Sequence, residues 1–552
     1  MKRIALLTMA AMFSFAACSK SDPQTNDPAS EKDETVTVDD SAGSSINVNN
    51  SEDNISATTF ARTVKVVYSS GGASVTGADG LSCSVSGNDV TITNNGDEVI
   101  MYELSGSSTD GFFKLYSSRK QGITLNSLTL TNPAGAAINN QSHKRTFMVV
   151  KGTNNIADGS SYSDEVSTED MKAAIFSEGQ LIFSGDGSLN VTATGKGGIT
   201  SDDYVRFMDG ATSVVVNSSA GHGVRGKDAI IVTDGNIDVS VSGTGKKGFS
   251  ADTLVYIGGG VTKIDVTGSA GTVDGEVTGS AGIRADVRFE MTGGSLGITC
   301  SGSGSKGISS DNVGFFKGGK AIITCTGKNY GSSYNSKSAK GVKFDGNLYF
   351  SDNCSVVVNS SSNEGIEAKG LIQITGGTVY SYSAADDAIN SGNHMNISGG
   401  YVYGRSFRND GLDANGNMNI SGGVVYASGA GSPEVALDAN TERNYKLTIS
   451  GGTVIAFGGI ERGSSVSIPY VAVNYSKKTY YSLEGGDTNL MCLKSPDSAG
   501  TGMYIFGGGL SKGSSYKLVS GVTVSGGTSY FGGYYFTGAT ATGGSSTTVS
   551  AK

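Results

Sequence analysis

The 552-residue chain has no tryptophan, six prolines and three histidines. His143, His222 and His394 fit no metal-ligand spacing and have no cysteine cluster beside them, which disfavours zinc. Of six cysteines, Cys18 has a separate role described below. The other five, Cys83, Cys300, Cys325, Cys354 and Cys492, are odd in number and scattered, so they form no disulfide framework. The one sustained apolar run, residues 4–15, is shorter than the roughly 20 residues that span hydrocarbon. No nucleophile elbow, supported His and Cys pairing or phosphate loop is present, which removes the common hydrolase and nucleotide-binding patterns.

The N-terminus compensates for the missing span. Lys2 and Arg3 precede the apolar run, and Phe15-Ala16-Ala17-Cys18 has the form of a bacterial lipobox. Residues 1–17 read as a lipoprotein signal, Cys18 as the lipidated residue, and residues 18–57, poor in large apolar side chains, as a flexible tether. The expected location is the cell envelope, outer membrane or cell surface, with membrane contact through the lipid alone. Without residues 1–17, 39 basic residues face 50 acidic ones, a net of −11. That balance excludes nucleic acid as a partner, since such binding neutralises phosphates with Lys and Arg. A monomer is expected.

Glycine is abundant, 83 residues, and periodic. A small apolar residue recurs at Ile175, Ile199, Val224, Phe249, Ile283, Ile308, Val342, Ile366, Ile389, Leu412 and Leu437, mostly every 23–25 residues. Insertions precede the anchors Ile175, Ile283 and Val342 and project from one edge. Within each unit strands alternate, as in Gly376-Gly377-Thr378-Val379-Tyr380, with Val379, Val402, Val425 and Val454 at one register. No helical period appears. The pattern predicts an all-β chain, a right-handed parallel β-helix over 58–460, its rungs about 4.8 Å apart. Residues 461–552, Gly- and Tyr-rich without the period, are expected to form a β cap over the open end. Register makes Cys300 and Cys325 ladder neighbours, read as buried free thiols with a disulfide as the alternative.

Positions beside the anchors carry the chemistry. Mid-rod they are often basic: Arg225, Lys247, Arg284, Lys306, Lys340 and Lys343. The sign then changes to Glu364, Glu367, Asp387, Asn390, Asp410, Asp413 and Asp438. Carboxylates on successive rungs repel by about 3 kcal/mol per pair at an effective dielectric near 20. Calcium, which takes six to eight oxygens in forgiving geometry, suits such a column, with Asp386, Asn415 and Asn440 as further donors. On the same rungs Tyr380, Tyr403 and Tyr426 share an outward register, flanked by Tyr382, Tyr401, Arg405 and Phe457. Exposed, they would stack on sugar rings; otherwise they stabilise the sheet as cross-rung pairs.

Lys306-Gly307-Ile308-Ser309-Ser310-Asp311, the stretch Asn363-Glu364-Gly365-Ile366-Glu367-Ala368-Lys369, and Asp386-Asp387-Ala388-Ile389-Asn390 followed by Met395-Asn396-Ile397-Ser398-Gly399-Gly400 resemble a bacterial family of carbohydrate-binding β-helix proteins. The resemblance spans residues 64–457. It implies a fold similar to pectate lyases, calcium sites, and affinity for cell-wall polymers such as cellulose and polygalacturonate without established cleavage. It assigns calcium to Glu364, Glu367, Asp386, Asp387, Asn390, Asp410 and Asp413. Ala368 stands where the family usually has Gly, and the basic column upstream also departs from the pattern. A non-catalytic polysaccharide binder is therefore expected. The alternatives are a calcium-dependent lyase with Lys369, Lys343 or Arg405 as base, and a structural spike or adhesin.

Overall fold

The computed structural model describes residues 40–552 apart from 164–167, 209, 211, 274 and 333–335. The signal, Cys18 and residues 18–39 lie outside the described residues. Short β-branched strands broken by Gly and Asn turns coil so that each hydrogen-bonds in parallel to its counterpart one turn on. Gly197–Ser201, Tyr204–Phe207 and Ser213–Ser218 make a typical rung. Three parallel ladders result, closing into a β-solenoid of about 14 turns with almost no helix. At the usual strand spacing of ~4.8 Å such a stack is on the order of 65 Å long.

The anchor residues form a continuous inward ladder. Ile175, Ile199, Val224, Phe249, Ile283, Ile308, Val342, Ile366, Ile389, Leu412 and Leu437 are register partners in that order. Three further rungs precede them, with Val90, Phe113 and Ile138 in the same register. All these side chains are at most 1 % exposed. Burying each contributes roughly 1.5–3 kcal/mol, so the axis of the rod is the core. The glycine pairs have a specific cause. Gly400 and Gly423 both take φ 78°, and a Cβ on either would lie 2.7 Å from a glycine carbonyl oxygen of the preceding rung. Only glycine turns there.

The expected flexible tether requires correction over residues 40–57, which lie along the rod as a strap. Ile46 and Val48 pack on the outward apolar residues Ala229, Ile231 and Leu254. Asp53 is 1 % exposed and accepts hydrogen bonds from Arg145 Nε at 2.9 Å, Arg206 Nη1 at 3.0 Å and the Tyr204 hydroxyl at 2.6 Å. Asp40 meets Tyr349 and Arg288 several rungs further along. Composition concealed this, because two apolar side chains and three acids, Asp40, Glu52 and Asp53, supply the contacts.

The C-terminal segment differs from a simple end cap. Met503–Gly507 pairs antiparallel with Thr453–Phe457, the last long strand of the rod. A six-stranded sheet, including Tyr480–Gly485, Thr488–Lys494 and Ser515–Ser520, then packs against the rod's flank, sharing an apolar cluster with Tyr403, Tyr426, Ile455 and Phe457. Among the described residues no helix is long and apolar enough to cross a membrane.

Candidate functional site

The charged column forms as its spacing predicts. Lys306, Lys340, Glu364, Asp387 and Asp410 stand two residues before Ile308, Val342, Ile366, Ile389 and Leu412, while Lys343, Glu367, Asn390, Asp413 and Asp438 directly follow Val342, Ile366, Ile389, Leu412 and Leu437. Glu364, Glu367, Asp387, Asp410 and Asp438 are all buried. The column divides into two parts with different chemistry.

In the first part a lysine supplies the positive charge. Lys340 Nζ lies 3.0 Å from Glu364 and also bonds Glu367, whose other oxygen meets Lys369. Burial pushes the Glu367 carboxyl up, but the two ammonium groups prevail and hold it below the usual carboxylate range. Burial raises Glu364 despite Lys340. The register opposes Lys340 to Glu364, so in this part of the column an ammonium group supplies positive charge where a metal was expected to supply it.

In the second part the carboxylates meet one another. Asp387 Oδ1 accepts the Asp410 N–H at 3.1 Å, and Asp410 Oδ1 accepts the Val435 N–H at 2.6 Å, so each carboxylate is clamped to the next rung. Asn390 donates its amide to Asp387 at 2.9 Å and to Asp413 at 3.2 Å. Carboxylate oxygens of Asp410, Asp413 and Asp438 lie within 4.8 Å of one another. No Lys or Arg pairs with Asp387 or Asp410 among the described residues. Burial, then neighbouring carboxylates, drive Asp387 and Asp410 far above the usual carboxylate range. Asp386 stands aside, accepting from Asn409 at 2.8 Å. An all-oxygen, acidic, converging set fits a hard divalent cation.

The tyrosine column is also in register, Tyr380 to Tyr403 to Tyr426, with ring centroids 4.4 and 5.1 Å apart. The expectation of an exposed sugar platform fails for most of it. Tyr403 and Tyr426 are 0 % exposed, covered by Phe531 and Tyr534 of the C-terminal sheet, and the Tyr426 hydroxyl donates to the Lys494 carbonyl at 2.8 Å. Tyr401 stacks on Tyr530 at 4.2 Å. Arg405 is buried and bonds Asp497 and the Tyr534 hydroxyl, its guanidinium 5.6 Å from the Tyr382 ring centre. The reason is economy of apolar surface: stacked rings serve the cap better than water. Tyr380, Tyr382 and Tyr401 stay partly accessible, and Tyr382 lines a cleft that the repeat did not reveal. Cys300 and Cys325 are register partners, buried and free.

A family model described as carbohydrate-binding domain-containing protein matches residues 86–408, more than half of the chain. The chain belongs to this family. The match covers most of the solenoid, including Glu364, Glu367 and Asp387, and stops just before Asp410 and the C-terminal sheet. None of the curated proteins matches. Among solved structures, one described as the polysaccharide lyase-like protein from C. thermocellum, gadolinium derivative, is 19 % identical. It covers 53 % of this chain and 97 % of its own, with a TM-score of 0.34.

Proposed function

We propose that this carbohydrate-binding domain is carried by an exported lipoprotein, anchored through Cys18, that holds polysaccharide on the outer face of its solenoid with calcium, and that it is not an enzyme. The observation that supports calcium most is the buried, clamped pair Asp387 and Asp410, which has no basic partner among the described residues and adjoins Asp413 and Asp438. These four residues, with Asn390 beside them, would hold the ion. Bound there, calcium would neutralise the column and offer open coordination positions to sugar hydroxyl or carboxylate oxygens. Two of its carboxylates, Asp387 and Asp410, are held before binding, each tied to backbone of the following rung.

A lyase needs an unprotonated base beside the sugar. Lys369, Lys343 and Arg405 are each engaged by a carboxylate, Glu367, Asp345 and Asp497 respectively, rather than standing open beside a sugar. Lys306 is pushed down to about 8 by burial and by Lys343 and Lys340. It stands three rungs from Asp387, about 14 Å by strand spacing, too far to share one sugar with that seat. These features favour binding over cleavage.

The test is retention of the mature protein on a panel of immobilised polysaccharides, including cellulose and polygalacturonate, in calcium and in chelator. Retention on one polymer in calcium and release by chelator supports the proposal. Passage through every column removes it in favour of a structural spike. Appearance of ultraviolet-absorbing unsaturated uronides would make the protein a lyase.

A further inference from the structure

The tyrosine column is occupied by the C-terminal sheet, so a sugar ring needs another platform. One is formed where two consecutive turns lead into the acidic column. Tyr382 is the penultimate residue of the strand Thr378–Ser383, which runs into Ala384 and Ala385; on the next rung Phe407 and Arg408 stand at the corresponding turn. Phe407 is 44 % exposed, one of few large apolar side chains in the solenoid that face water. A cleft of about 590 Å³ opens over these residues, walled by Ser361, Ser362 and Asn329. That is within the range of small-ligand sites.

The cleft is held by backbone rather than by loop contacts alone. The Phe407 N–H donates to the Ser383 carbonyl at 2.9 Å and the Ala384 N–H to the Ser360 carbonyl at 3.0 Å, both between rungs. Asn329 ties the insertion before Val342 to the rod, accepting from the Ala339 N–H at 2.9 Å and donating to the Ser362 carbonyl at 3.3 Å. Arg405, locked by Asp497, holds the back of the Tyr382 ring. Arg408 uses its backbone N–H on Ser406 at 3.2 Å, and its guanidinium makes no hydrogen bond or ion pair among the described residues. Two aromatic side chains, a guanidinium and two serines line one opening.

We infer that this cleft is a pyranose subsite, in which one sugar of a bound polysaccharide stacks its C–H face on Phe407 and Tyr382 and meets Arg408, Ser361 and Ser362 with its hydroxyl oxygens. A pyranose presents that combination, an apolar face rimmed by donors and acceptors. The two turns continue into Asp387 and Asp410, so the proposed calcium seat lies three residues further along the same two coils from Ala384 and Phe407. The inference rests on the polysaccharide reading and adds to it the place where the sugar ring sits.

The test uses the mature protein and whichever polysaccharide of the panel retains the wild type. Phe407→Ala, at an exposed turn tip, and Tyr382→Ala are expected to weaken retention roughly tenfold each, the scale of a lost aromatic contact, while Phe407→Tyr keeps it. Ile322→Ala removes a comparably exposed side chain elsewhere on the rod, 43 % exposed, and leaves retention unchanged. In an oligosaccharide titration followed by calorimetry, Tyr382→Phe, which keeps the ring, should lose less affinity than Tyr382→Ala. Wild-type retention matched by Phe407→Ala and Tyr382→Ala overturns the subsite and leaves the polysaccharide reading standing. A wild type that no polymer retains overturns both.

Discussion

Tyr426 shows how one side chain changes the account. Its ring lies between Tyr403 and Phe457 under the C-terminal sheet. Tyr426→Ala should therefore cost on the order of 3–5 kcal/mol, as large aromatic truncations in cores do. Early proteolysis of residues 461–552 and a lowered melting temperature would register it. An unchanged melt would return Tyr426 to the surface. Lys306 makes the opposite prediction. Its pKa, about 8, lies below the ordinary lysine value of 10.5, because burial and three neighbouring lysines oppose the charge. Between those values the unfolded chain binds more protons than the folded one, so this group's penalty is full below pH 8 and fades as pH rises toward 10.5. Lys306→Met should raise the melting temperature at pH 7, and the gain should shrink by pH 10. A gain independent of pH would show that charge is not its source.

Elements joined by few contacts behave differently from the rungs. The strap over residues 40–57 depends on Asp53, which neutralises two arginines at once. Asp53→Ala leaves Arg145 and Arg206 facing each other near the surface of the core, a loss of about 3–5 kcal/mol by analogy with other broken buried pairs. Protease cleavage within residues 40–57 should then appear well below the global melt, and persistent protection would contradict the strap. The rungs were readable because their signal is repeated. A single inward position recurs eleven times, and each recurrence confirms the others. The same register extends to Val90, Phe113 and Ile138 at intervals of 23 and 25 residues, but 37 residues then separate Ile138 from Ile175, and that gap hid the continuity. The strap and the cleft have no such repetition. Phe407 and Arg408 could be noticed only as an aromatic and a cation beside a turn just ahead of Asp410. Lys340 gave a clearer signal, since the change from Lys340 to Glu364 in one register position already implied an ion pair.

On the scale of the whole molecule, the solenoid converts a sequence period into straight columns, and columns concentrate like chemistry. That concentration packs the anchors efficiently. It also forces charges together, and the chain answers differently along its length: arginines alternate with aspartates in the middle, Lys340 bridges two glutamates further on, and at Asp387 and Asp410 no protein cation answers among the described residues. Calcium is proposed to bind at that last place, and the most direct test is retention of the wild type and of Asp387→Asn/Asp410→Asn on the same polysaccharide in calcium. Asparagine keeps the oxygen that accepts the next rung's N–H, so circular dichroism should show both proteins folded. The wild type should be retained and released by chelator, while the double variant passes through. Equal retention of the two proteins in calcium would rule out calcium-dependent binding at these residues.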